Sequence, residues 1–357
     1  MIDFQAIIIK WYKKYKRDLP WRKTKDPYKI WVSEIILQQT RVNQGYNYYL
    51  EFINKFPDIN ALAYSSLDKL LKVWQGLGYY SRARNMHKTA KFITENFNGT
   101  FPHKFEELIK LNGVGEYTAS AIASICYNKP YAVIDGNVFR VLARIFGIKE
   151  YIDTTNGKKK FKKLANKLIS KNNPSLYNQA IMEFGAIQCM PKNPLCTNCP
   201  FVNSCYAYNN NSINSLPAKN KKKKIKNRYF YYLIINYNGN TYLNKRTEKD
   251  IWNSLYEFPL IEMNAKVDDE KVIQSEQFIS IFGHSKILIQ KRKTTFYKHI
   301  LTHQHIYAKY FYIELKNSFH YLNSHYIKTS FENINNYPFP KLVNIIIEDF
   351  MQLKKTN

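Results

Sequence analysis

The sequence is short of acidic residues, of cysteine and of long apolar runs, and each shortage argues against a class of protein. Only 27 Asp and Glu residues stand against 54 Lys and Arg residues, a formal charge of +27. This imbalance disfavours a cationic partner and predicts a polyanionic one, bound in a salt-sensitive way. A compositional bias toward Lys, Asn, Ile and Tyr is the alternative explanation of the charge.

No apolar run approaches the length of a membrane-spanning helix. The N-terminus offers an amphipathic helix, with Phe4, Ile8 and Trp11 on one side, where an export signal would stand. We therefore expect a soluble, intracellular protein. Its 357 residues are enough for two globular domains with separate cores.

Two glycines separate a pair of predicted helices near the middle of the chain. Apolar spacing predicts one helix over residues 104–111 and a buried one over residues 117–125. Gly113 and Gly115 would make the turn, where positive φ is allowed and the amides opening the second helix can face a phosphodiester oxygen. An ordinary helix–helix turn is the alternative.

An acidic residue stands out on the helix predicted over residues 28–42. Glu34 lies on the same side as Leu37 and Gln38 and directly precedes an apolar run, so we expect desolvation to favour its protonated form. Glu34 would then be a proton donor. The alternative is a solvated glutamate on the helix surface.

A second acidic residue, Asp135, stands before a helix predicted over residues 138–146. An aspartate at this position caps the helix, and the helix amides keep its carboxylate ionised. One protonated and one ionised carboxyl group form the pair that cleaves a glycosidic bond through an oxocarbenium-like transition state. Capping alone is the alternative role.

The segment over residues 76–84 combines glycine, tyrosine and arginine. Glycines let a loop enter a groove, Tyr79 could wedge between unstacked bases, and Arg82 could hold a phosphate. Core packing is the alternative role of the tyrosines.

Four of the five cysteines lie within seventeen residues and are spaced C-x6-C-x2-C-x5-C: Cys189, Cys196, Cys199 and Cys205. In an intracellular protein such clustering predicts a metal site rather than disulfides. The spacing alone leaves a structural zinc ion and an iron-sulfur cluster open.

Beyond Cys205 the pattern changes. A lysine-rich stretch is typical of a solvated linker. After it, alternating apolar residues predict strands over residues 229–235 and 242–246, joined by a hairpin turn at Asn238 and Gly239. Residues 252–259, 294–301 and 308–315 continue a mixed α/β domain.

Several of these motifs occur together, in the same order, in one known family. The N-terminal region resembles the helix-hairpin-helix DNA glycosylases that carry a 4Fe-4S cluster, and within them the adenine DNA glycosylase (MutY) family. The residues that carry the resemblance are Leu-Pro-Trp-Arg at 19–22, Trp-Val-Ser-Glu-Ile-Ile-Leu-Gln-Gln-Thr-Arg-Val at 31–42, Gly-Leu-Gly-Tyr-Tyr-Ser-Arg-Ala-Arg at 76–84, Gly-Val-Gly at 113–115, Asp-Gly-Asn-Val at 135–138 and the four clustered cysteines.

The resemblance implies roles for individual residues. Glu34 would protonate adenine at N7 and later help activate water, Asp135 would stabilise the sugar cation, and Asn137 would hold that arrangement. Cys189, Cys196, Cys199 and Cys205 would bind one 4Fe-4S cluster. The residues implied in contacting DNA or the extruded adenine are Trp21, Arg22, Leu37, Gln38, Gln39, Thr40, Tyr79, Arg82, Gly113, Gly115 and Gln179.

Position 117 selects the reaction within this superfamily. Related glycosylases that also cut the strand have a nucleophilic lysine there, and this chain has Tyr117. The resemblance therefore implies hydrolysis by water and an abasic product. Two alternatives stay open: an endonuclease III-like bifunctional glycosylase/lyase for damaged pyrimidines, and a non-catalytic DNA mismatch-binding protein. Asn112 and Glu116 depart from the hairpin pattern, in which proline and a basic residue are frequent, so a weaker phosphate grip is expected.

The C-terminal part resembles the Nudix-like domain of the same family, which inspects 8-oxoguanine on the opposite strand. Thr302 falls where the family usually has a serine that touches the modified base. The glutamate-rich signature with which Nudix hydrolases bind magnesium is missing after residues 252–259. The resemblance therefore implies a recognition domain rather than a hydrolase.

Taken together, these expectations define a fold class and a domain plan. A mainly α region, residues 1–208, would contain a six-helix domain (25–131) and a cluster-bearing helical domain (1–24 and 132–208). A basic linker (209–227) would lead to an α+β Nudix-like domain (228–357). The partner would be double-stranded DNA with an adenine:8-oxoguanine or adenine:guanine mispair, bound by a monomer in the bacterial cytoplasm at the nucleoid.

Overall fold

The computed structural model describes residues 3–220, 225–285, 287–290 and 295–355. Residues 221–224 of the predicted linker, and Thr294 at the start of a predicted segment, therefore lie outside the described residues. The chain divides into two compact units. The first unit is Met1–Tyr64 with Asn85–Lys221, and the second unit is Ser65–Arg84 with Lys222–Asn357. Residues 65–84 thus belong to the same unit as the C-terminal residues.

Helices make up most of the first unit, and several begin at a capping side chain. Asp3, Asp26, Asp58 and Thr154 each accept a hydrogen bond from an amide in the first turn of the helix that follows. In chain order, the helices of the described residues are α1 (Phe4–Tyr15), α2 (Pro27–Ile36), α3 (Val42–Lys55), α4 (Ile59–Ala63), α5 (Leu67–Val73), α6 (Ser81–Phe97), α7 (Phe105–Leu108), α8 (Glu116–Ile125), α9 (Gly136–Phe146), α10 (Thr155–Leu168), α11 (Pro174–Glu183), α12 (Tyr206–Asn209), α13 (Asp269–Ile273), α14 (Glu276–Phe282), α15 (His320–His325) and α16 (Lys341–Lys355).

Helix α8 lies at the centre of the first unit. Every residue from Thr118 to Ile125 is buried, and most of these residues are small, so α2 and α11 can pack closely against the helix. The prediction of a buried helix over residues 117–125 is confirmed. The prediction of one continuous helix over residues 28–42 is wrong, because α2 ends at Ile36 and the chain turns through residues 37–40. Gln39 has a φ of 58° there, which an α-helix does not accommodate.

The second unit is α+β. Its strands are β1 (Lys226–Asn236), β2 (Asn240–Lys245), β3 (Tyr256–Glu257), β4 (Leu260–Met263), β5 (Leu288–Gln290), β6 (Tyr297–Ile300), β7 (Gln304–Glu314) and β8 (Ile327–Ser330). One sheet has the order β4-β1-β7-β5, with β6 also paired to β7, and a second sheet has the order β3-β2-β8. Strand β1 runs parallel to β7, with Tyr231 opposite Lys309.

Strand β1 was expected from residue 229, and it begins three residues earlier, at Lys226. The last two residues of the predicted linker, 226 and 227, are therefore in the sheet. The predicted turn at Asn238 and Gly239 is confirmed, with φ values of 50° and 76°, and Tyr237 and Asn240 form a single antiparallel bridge across it. The predicted pairing of the two flanking strands is wrong, because β1 pairs with β4 and β7, whereas β2 pairs with β3 and β8. Alternation buries Tyr231, Leu233 and Ile235 in the core of this unit.

Candidate active site

A cavity of about 560 Å³ opens in the first unit and is lined by residues from α2, α8, α9 and α11. Most of the residues predicted to act on DNA meet there, although they come from segments that are far apart in the chain. The predicted residues that line the cavity are Trp21, Arg22, Glu34, Leu37, Gln38, Gln39, Thr40, Gly115, Tyr117, Asp135, Asn137 and Gln179.

Glu34 occupies the last turn of α2 and is buried, with 8% of its surface exposed. Burial raises the pKa of its carboxyl group to about 7. A hydrogen bond from Tyr117 opposes this rise, the charge of Asp135 adds to it, and the charge of Arg22 opposes it. At neutral pH a substantial fraction of Glu34 therefore carries a proton, as the sequence analysis predicted from its apolar neighbours.

Tyr117 stands at the position where the resemblance implies a lysine in strand-cutting relatives. Its hydroxyl group donates to Oε2 of Glu34 at 2.6 Å and lies 3.3 Å from the sulfur of Met182. Burial raises the pKa of Tyr117 well above its ordinary value, and the charge of Glu34 raises it further. The phenol therefore stays protonated and serves as a donor to the Glu34 carboxylate.

Asp135 caps α9 and faces the same cavity. Its carboxylate accepts from the Val138 amide at 2.8 Å and from the Asn137 side chain at 2.7 Å. We expected the amides of α9 to keep this carboxylate ionised. Burial instead prevails and raises the pKa of Asp135, against the lowering effect of Val138, Asn137 and Arg140. The cavity thus holds two carboxyl groups with different partners, the buried Glu34 and the half-buried Asp135.

Asn137 is held from its other side by Arg140 and by the backbone of a π-helical segment, Phe184–Gln188, that continues α11. The Arg140 guanidinium donates to Oδ1 of Asn137 at 2.8 Å and to the Gly185 carbonyl at 2.5 Å. A Cβ atom at Gly185 would lie 2.6 Å from Cβ of Asn137, so only glycine allows this approach. Gly185 is a positioning residue that the sequence analysis missed.

The turn after α2 contributes Leu37, Gln38, Gln39 and Thr40 to the cavity wall. Gln38 donates to the Thr118 hydroxyl group at 3.4 Å, which ties the turn to α8. Gln39 adopts a left-handed backbone conformation, an arrangement that costs roughly 1 kcal/mol for a non-glycine residue and that clusters at functional sites. Because the helix ends early, these side chains project from a turn rather than from one side of α2.

An ion cluster forms another wall of the cavity. Glu183, only 1% exposed at its side chain, binds both Arg17 and Arg22 at 2.6 Å. Burial alone would raise the pKa of Glu183, but the hydrogen bonds from the two arginines outweigh it and lower the pKa to about 2. Gln179 accepts from the Tyr12 hydroxyl group at 3.2 Å on the same side of α11.

Arg17 and Glu183 were not predicted as site residues. The signal for them is weak in sequence, because the two residues are 166 positions apart and each resembles an ordinary surface charge. The ion pair with Glu183 fixes the guanidinium of Arg22, which lies 5.5 Å from the ring of Tyr12.

The glycine turn before α8 lies beside the cavity. Gly113 has a φ of 75°, and a Cβ atom there would lie 2.7 Å from Cβ of Asn85. Gly115 has an extended backbone (φ −86°) as the N-cap of α8, and a Cβ atom there would meet open space. Gly113 therefore requires glycine for its conformation, whereas Gly115 does not. Glu116, the next residue, forms an ion pair with Lys162 of α10.

Three other predicted residues lie in the second unit. The hydroxyl groups of Tyr79 and Thr302 are 2.6 Å apart, Tyr79 is half exposed and has a φ of 48°, and Thr302 lies in the turn between β6 and β7. Arg82 packs its guanidinium over Trp74 and Tyr79, at 5.2 and 5.8 Å from the ring centroids. Burial lowers the pKa of Arg82 to about 10.

The second unit also holds a group of carboxylates that are paired with arginines. Arg228 binds Asp250 at 2.7 Å and Glu262 at 2.6 Å. Arg246 binds Asp250 at 2.8 Å and Glu257 at 2.7 Å. Asp250, Glu257 and Glu262 are therefore all paired with arginine side chains of this unit.

Cys189, Cys196, Cys199 and Cys205 line a second, smaller cavity of the first unit, together with Arg144. The Arg144 guanidinium is 3.5 Å from Sγ of Cys189. Burial raises the pKa of the Cys189 thiol, and Arg144 opposes this rise. No group of three or more His, Cys, Asp or Glu side chains placed to hold a metal ion is found within the described part of the chain. Four sulfur donors on one cavity, with a cation beside them, nevertheless suit an anionic thiolate-bound group.

Among the described residues, no helix combines the length and the apolar character that crossing a membrane requires.

Comparison with known proteins identifies both parts of the chain. A family model described as "HhH-GPD superfamily base excision DNA repair protein" matches residues 32–171, and a NUDIX domain model matches residues 230–349. Among solved structures, a thermostable thymine-DNA glycosylase is 28% identical with a TM-score of 0.54, over 58% of this chain and 95% of its own. A trapped endonuclease III–DNA intermediate, 22% identical with a TM-score of 0.51 over 58% and 94% of the two chains, shows the same fold.

Several curated relatives are named adenine DNA glycosylase. The protein of Buchnera aphidicola subsp. Baizongia pistaciae is 36% identical over 364 residues, which is 99% of this chain and 97% of that protein. The protein of the subspecies from Schizaphis graminum is 40% identical over 74% and 76% of the two chains, and the human protein is 41% identical over 57% and 39%. The predicted fold class and resemblance are confirmed. Since the similarity spans nearly the full length of both chains, this protein belongs to the adenine DNA glycosylase family.

Proposed function

We propose that this protein hydrolyses the N-glycosidic bond of adenine mispaired with 8-oxoguanine or guanine, acting as a monomer and leaving an abasic site. The observation that carries the proposal is the pair of carboxyl groups on one cavity, the buried Glu34 and the half-buried Asp135. Glu34 has a pKa of about 7, and its hydrogen-bond donor is Tyr117 rather than a lysine.

The substrate base must leave the duplex before it can be attacked. The glycosidic bond of a stacked base is out of reach, so the nucleotide is extruded into a pocket at a cost of a few kcal/mol. A cavity of about 560 Å³ has room for an adenine. Trp21 and Leu37 would supply its apolar walls, and Arg22 and Gln179 its polar contacts.

Protonated Glu34 would deliver its proton to N7 of adenine. The bond between C1′ and N9 then breaks, and the base leaves with the bonding electron pair, which the added proton stabilises. The sugar is left with oxocarbenium character, and the carboxylate of Asp135 would stabilise that positive charge. The donors on Asp135 from Val138 and Asn137 favour its ionised form.

Water then completes the reaction. It adds to C1′ while Glu34, now a carboxylate, accepts one of its protons and returns to its starting state. Tyr117 would hold the Glu34 carboxylate in place through its 2.6 Å hydrogen bond. A phenol with a raised pKa is a poor nucleophile toward a sugar carbon and cannot form a Schiff base, which supports a monofunctional enzyme.

The second unit would recognise the base opposite adenine. Tyr79 and Thr302 present hydroxyl groups 2.6 Å apart on exposed turns of this unit, where they can exchange this contact for one to the modified base. Hydrolysis of a nucleotide by this unit is disfavoured, because Asp250, Glu257 and Glu262 are already bound by arginines. Within this proposal the first unit is the catalytic region, and the second unit, which includes residues 65–84, is the recognition domain.

We also propose that Cys189, Cys196, Cys199 and Cys205 hold one 4Fe-4S cluster. When bound, the cluster would cross-link residues 189–205 and act chiefly as a structural clamp. Arg144 would stabilise the anionic thiolates, since its guanidinium is 3.5 Å from Sγ of Cys189. The test is iron and acid-labile sulfide analysis of the purified protein. A colourless, active, zinc-containing protein would contradict this assignment.

The central experiment uses duplexes with adenine opposite 8-oxoguanine, guanine or thymine. Abasic sites are scored as strand breaks before and after alkali. We expect alkali-dependent breaks for the first two duplexes. Breaks without alkali would indicate a glycosylase/lyase. Complete absence of abasic sites, with binding retained, would indicate a mismatch-binding protein.

A further inference from the structure

Helix α10 has a strongly cationic side. Its fourteen residues include no acid, and its apolar side is formed by the buried Phe161 and Ala165. Its exposed lysines are Lys158, Lys159, Lys160, Lys162, Lys163 and Lys167. The proposed reaction uses none of them.

Two contacts place α10 next to the candidate active site within the first unit. Phe161 packs edge-on against Phe139 of α9, with ring centroids 4.9 Å apart, and Phe139 lies one turn after Asp135. On another side, Lys162 forms an ion pair with Glu116, which directly follows the cavity residue Gly115. The helix therefore borders both the cap of α9 and the glycine turn.

Helical geometry places five of these lysines on two sides of α10, with Lys163 between the two groups. Lys158 and Lys159 precede Lys162 by four and three residues, so they share the side of α10 that reaches Glu116. Lys160 pairs with Glu150, and Lys167, seven residues later, lies on the same side as Lys160. In the part of the chain that the structure describes, neither Lys158 nor Lys159 has an ion-pair partner.

We propose that Lys158, Lys159 and Lys162 form a phosphate-binding surface that extends the contacts of the glycine turn along the backbone of duplex DNA. The proposal rests on the proposed function, which brings a duplex to the cavity. Glu116 puts a negative charge beside the turn, and Lys162 neutralises it. Lys158 and Lys159 then supply the net positive charge that a polyanion requires.

The length of the surface fits a polymer better than a single phosphate. Residues 158–162 span about 6 Å along the helix axis, and extended lysine side chains widen this reach. Charge that is spread along an exposed helix suits the neighbouring phosphates of a strand. This surface would therefore contribute affinity without sequence preference.

The test measures the salt dependence of binding to an undamaged duplex, using Lys158→Gln/Lys159→Gln. The matched control, Lys160→Gln/Lys167→Gln, removes the same charge from the opposite side of the same helix. Each phosphate contact contributes about 0.9 to the slope of log affinity against log salt. We expect the slope to fall by roughly 1.8 in the test variant and to stay unchanged in the control. Equal slopes in both variants, lowered or not, would overturn the proposal.

A second variant tests whether Lys162 can bind phosphate once its ion-pair partner, Glu116, is neutralised. Glu116→Gln removes the competing carboxylate, so we expect tighter binding and a slope that steepens by up to about 0.9. Unchanged or weaker binding would mean that Lys162 serves only the ion pair. Circular dichroism and the thermal midpoint show that each variant is folded. Because an undamaged duplex is used, the result does not depend on excision, and loss of the proposed function would appear separately in the wild-type excision assay.

Discussion

The hydrogen bond from Tyr117 to Glu34 should set the alkaline limit of base excision. Burial raises the pKa of Glu34 to about 7, and this hydrogen bond keeps it from rising further. A hydrogen bond to a charged acceptor contributes about 1.5–3 kcal/mol, and about 1.4 kcal/mol corresponds to one pKa unit. We therefore expect Tyr117→Phe to raise the pKa of Glu34 by about 1 to 2 units.

The consequence is a shift in the pH profile. Excision requires protonated Glu34, so the rate falls as pH rises through the pKa. In the wild type the fall should be centred near pH 7, and in Tyr117→Phe it should be centred about 1 to 2 units higher. The second-order rate constant, from single-turnover reactions at sub-saturating enzyme, is the quantity to follow, because it reports the pKa of the free enzyme.

Tyr131→Phe is the matched control. It removes another tyrosine hydroxyl from a carboxylate, that of Glu106, at an exposed site of the same unit, and should leave the profile in place. A profile of Tyr117→Phe that is unchanged, or displaced toward lower pH, would refute the reasoning. If the rate of Tyr117→Phe falls at a lower pH than that of the wild type, water enters beside Glu34 when the phenol is lost and solvates its charge better than the hydroxyl group did.

Four further predictions concern single side chains. Asp135→Asn should reduce excision by at least about 100-fold while duplex binding persists, because the amide oxygen still caps α9; loss of binding would leave Asp135 only its capping role. Glu183→Gln should lower the free energy of unfolding by roughly 2–3 kcal/mol in urea denaturation at neutral pH, since it leaves two guanidinium groups unpaired; a difference near zero would contradict this. Thr302→Ala should reduce the preference for adenine opposite 8-oxoguanine over adenine opposite guanine by about 5-fold, the equivalent of about one hydrogen bond, and an unchanged ratio would remove Thr302 from recognition. Glu34→Gln should stabilise the fold by up to about 3 kcal/mol at pH 8 and not at pH 4. The pKa of Glu34 is about 7 in the folded protein and 4.5 ordinarily, so the wild type loses stability as the pH rises from 4.5 through 7, and the glutamine variant does not. Equal urea midpoints of the two proteins at pH 8 would argue against a buried charge.

Much of the helical frame could be predicted from sequence, where local patterns are strong. The small apolar residues of α8 and the aspartate before α9 lead directly to a buried helix and a capped one. The apolar run of β1 also predicts a strand, and the structure buries residues 230–235 on both sides of the sheet. The end of α2 could not be predicted this way: the apolar spacing continues past Ile36, and only the conformation of Gln39 shows that the helix stops.

Contacts between distant residues were beyond the sequence. Glu183 and Arg17 look like solvated charges until the fold brings α1 and α11 together. Nothing in the sequence around Gly185 indicates that glycine is required there. The requirement comes from Asn137, 48 residues away, because a Cβ atom at position 185 would clash with it. The segment 65–84 precedes the glycine turn in the chain but joins the strands of the second unit, where Lys245 binds Asp68 at 2.8 Å.

The electrostatics of the carboxyl pair follow from its partners rather than from burial alone. Burial raises the pKa of both Glu34 and Asp135. Asp135, however, has an amide, an asparagine and a nearby arginine to stabilise its charge, and its charge in turn makes ionisation of Glu34 harder. Glu34 has one hydroxyl donor to offset the same burial. Burial raises both pKa values, but the charge of Asp135 has more donors to support it than the charge of Glu34 has, and this asymmetry favours Glu34 as the acid that releases a proton to a bound base.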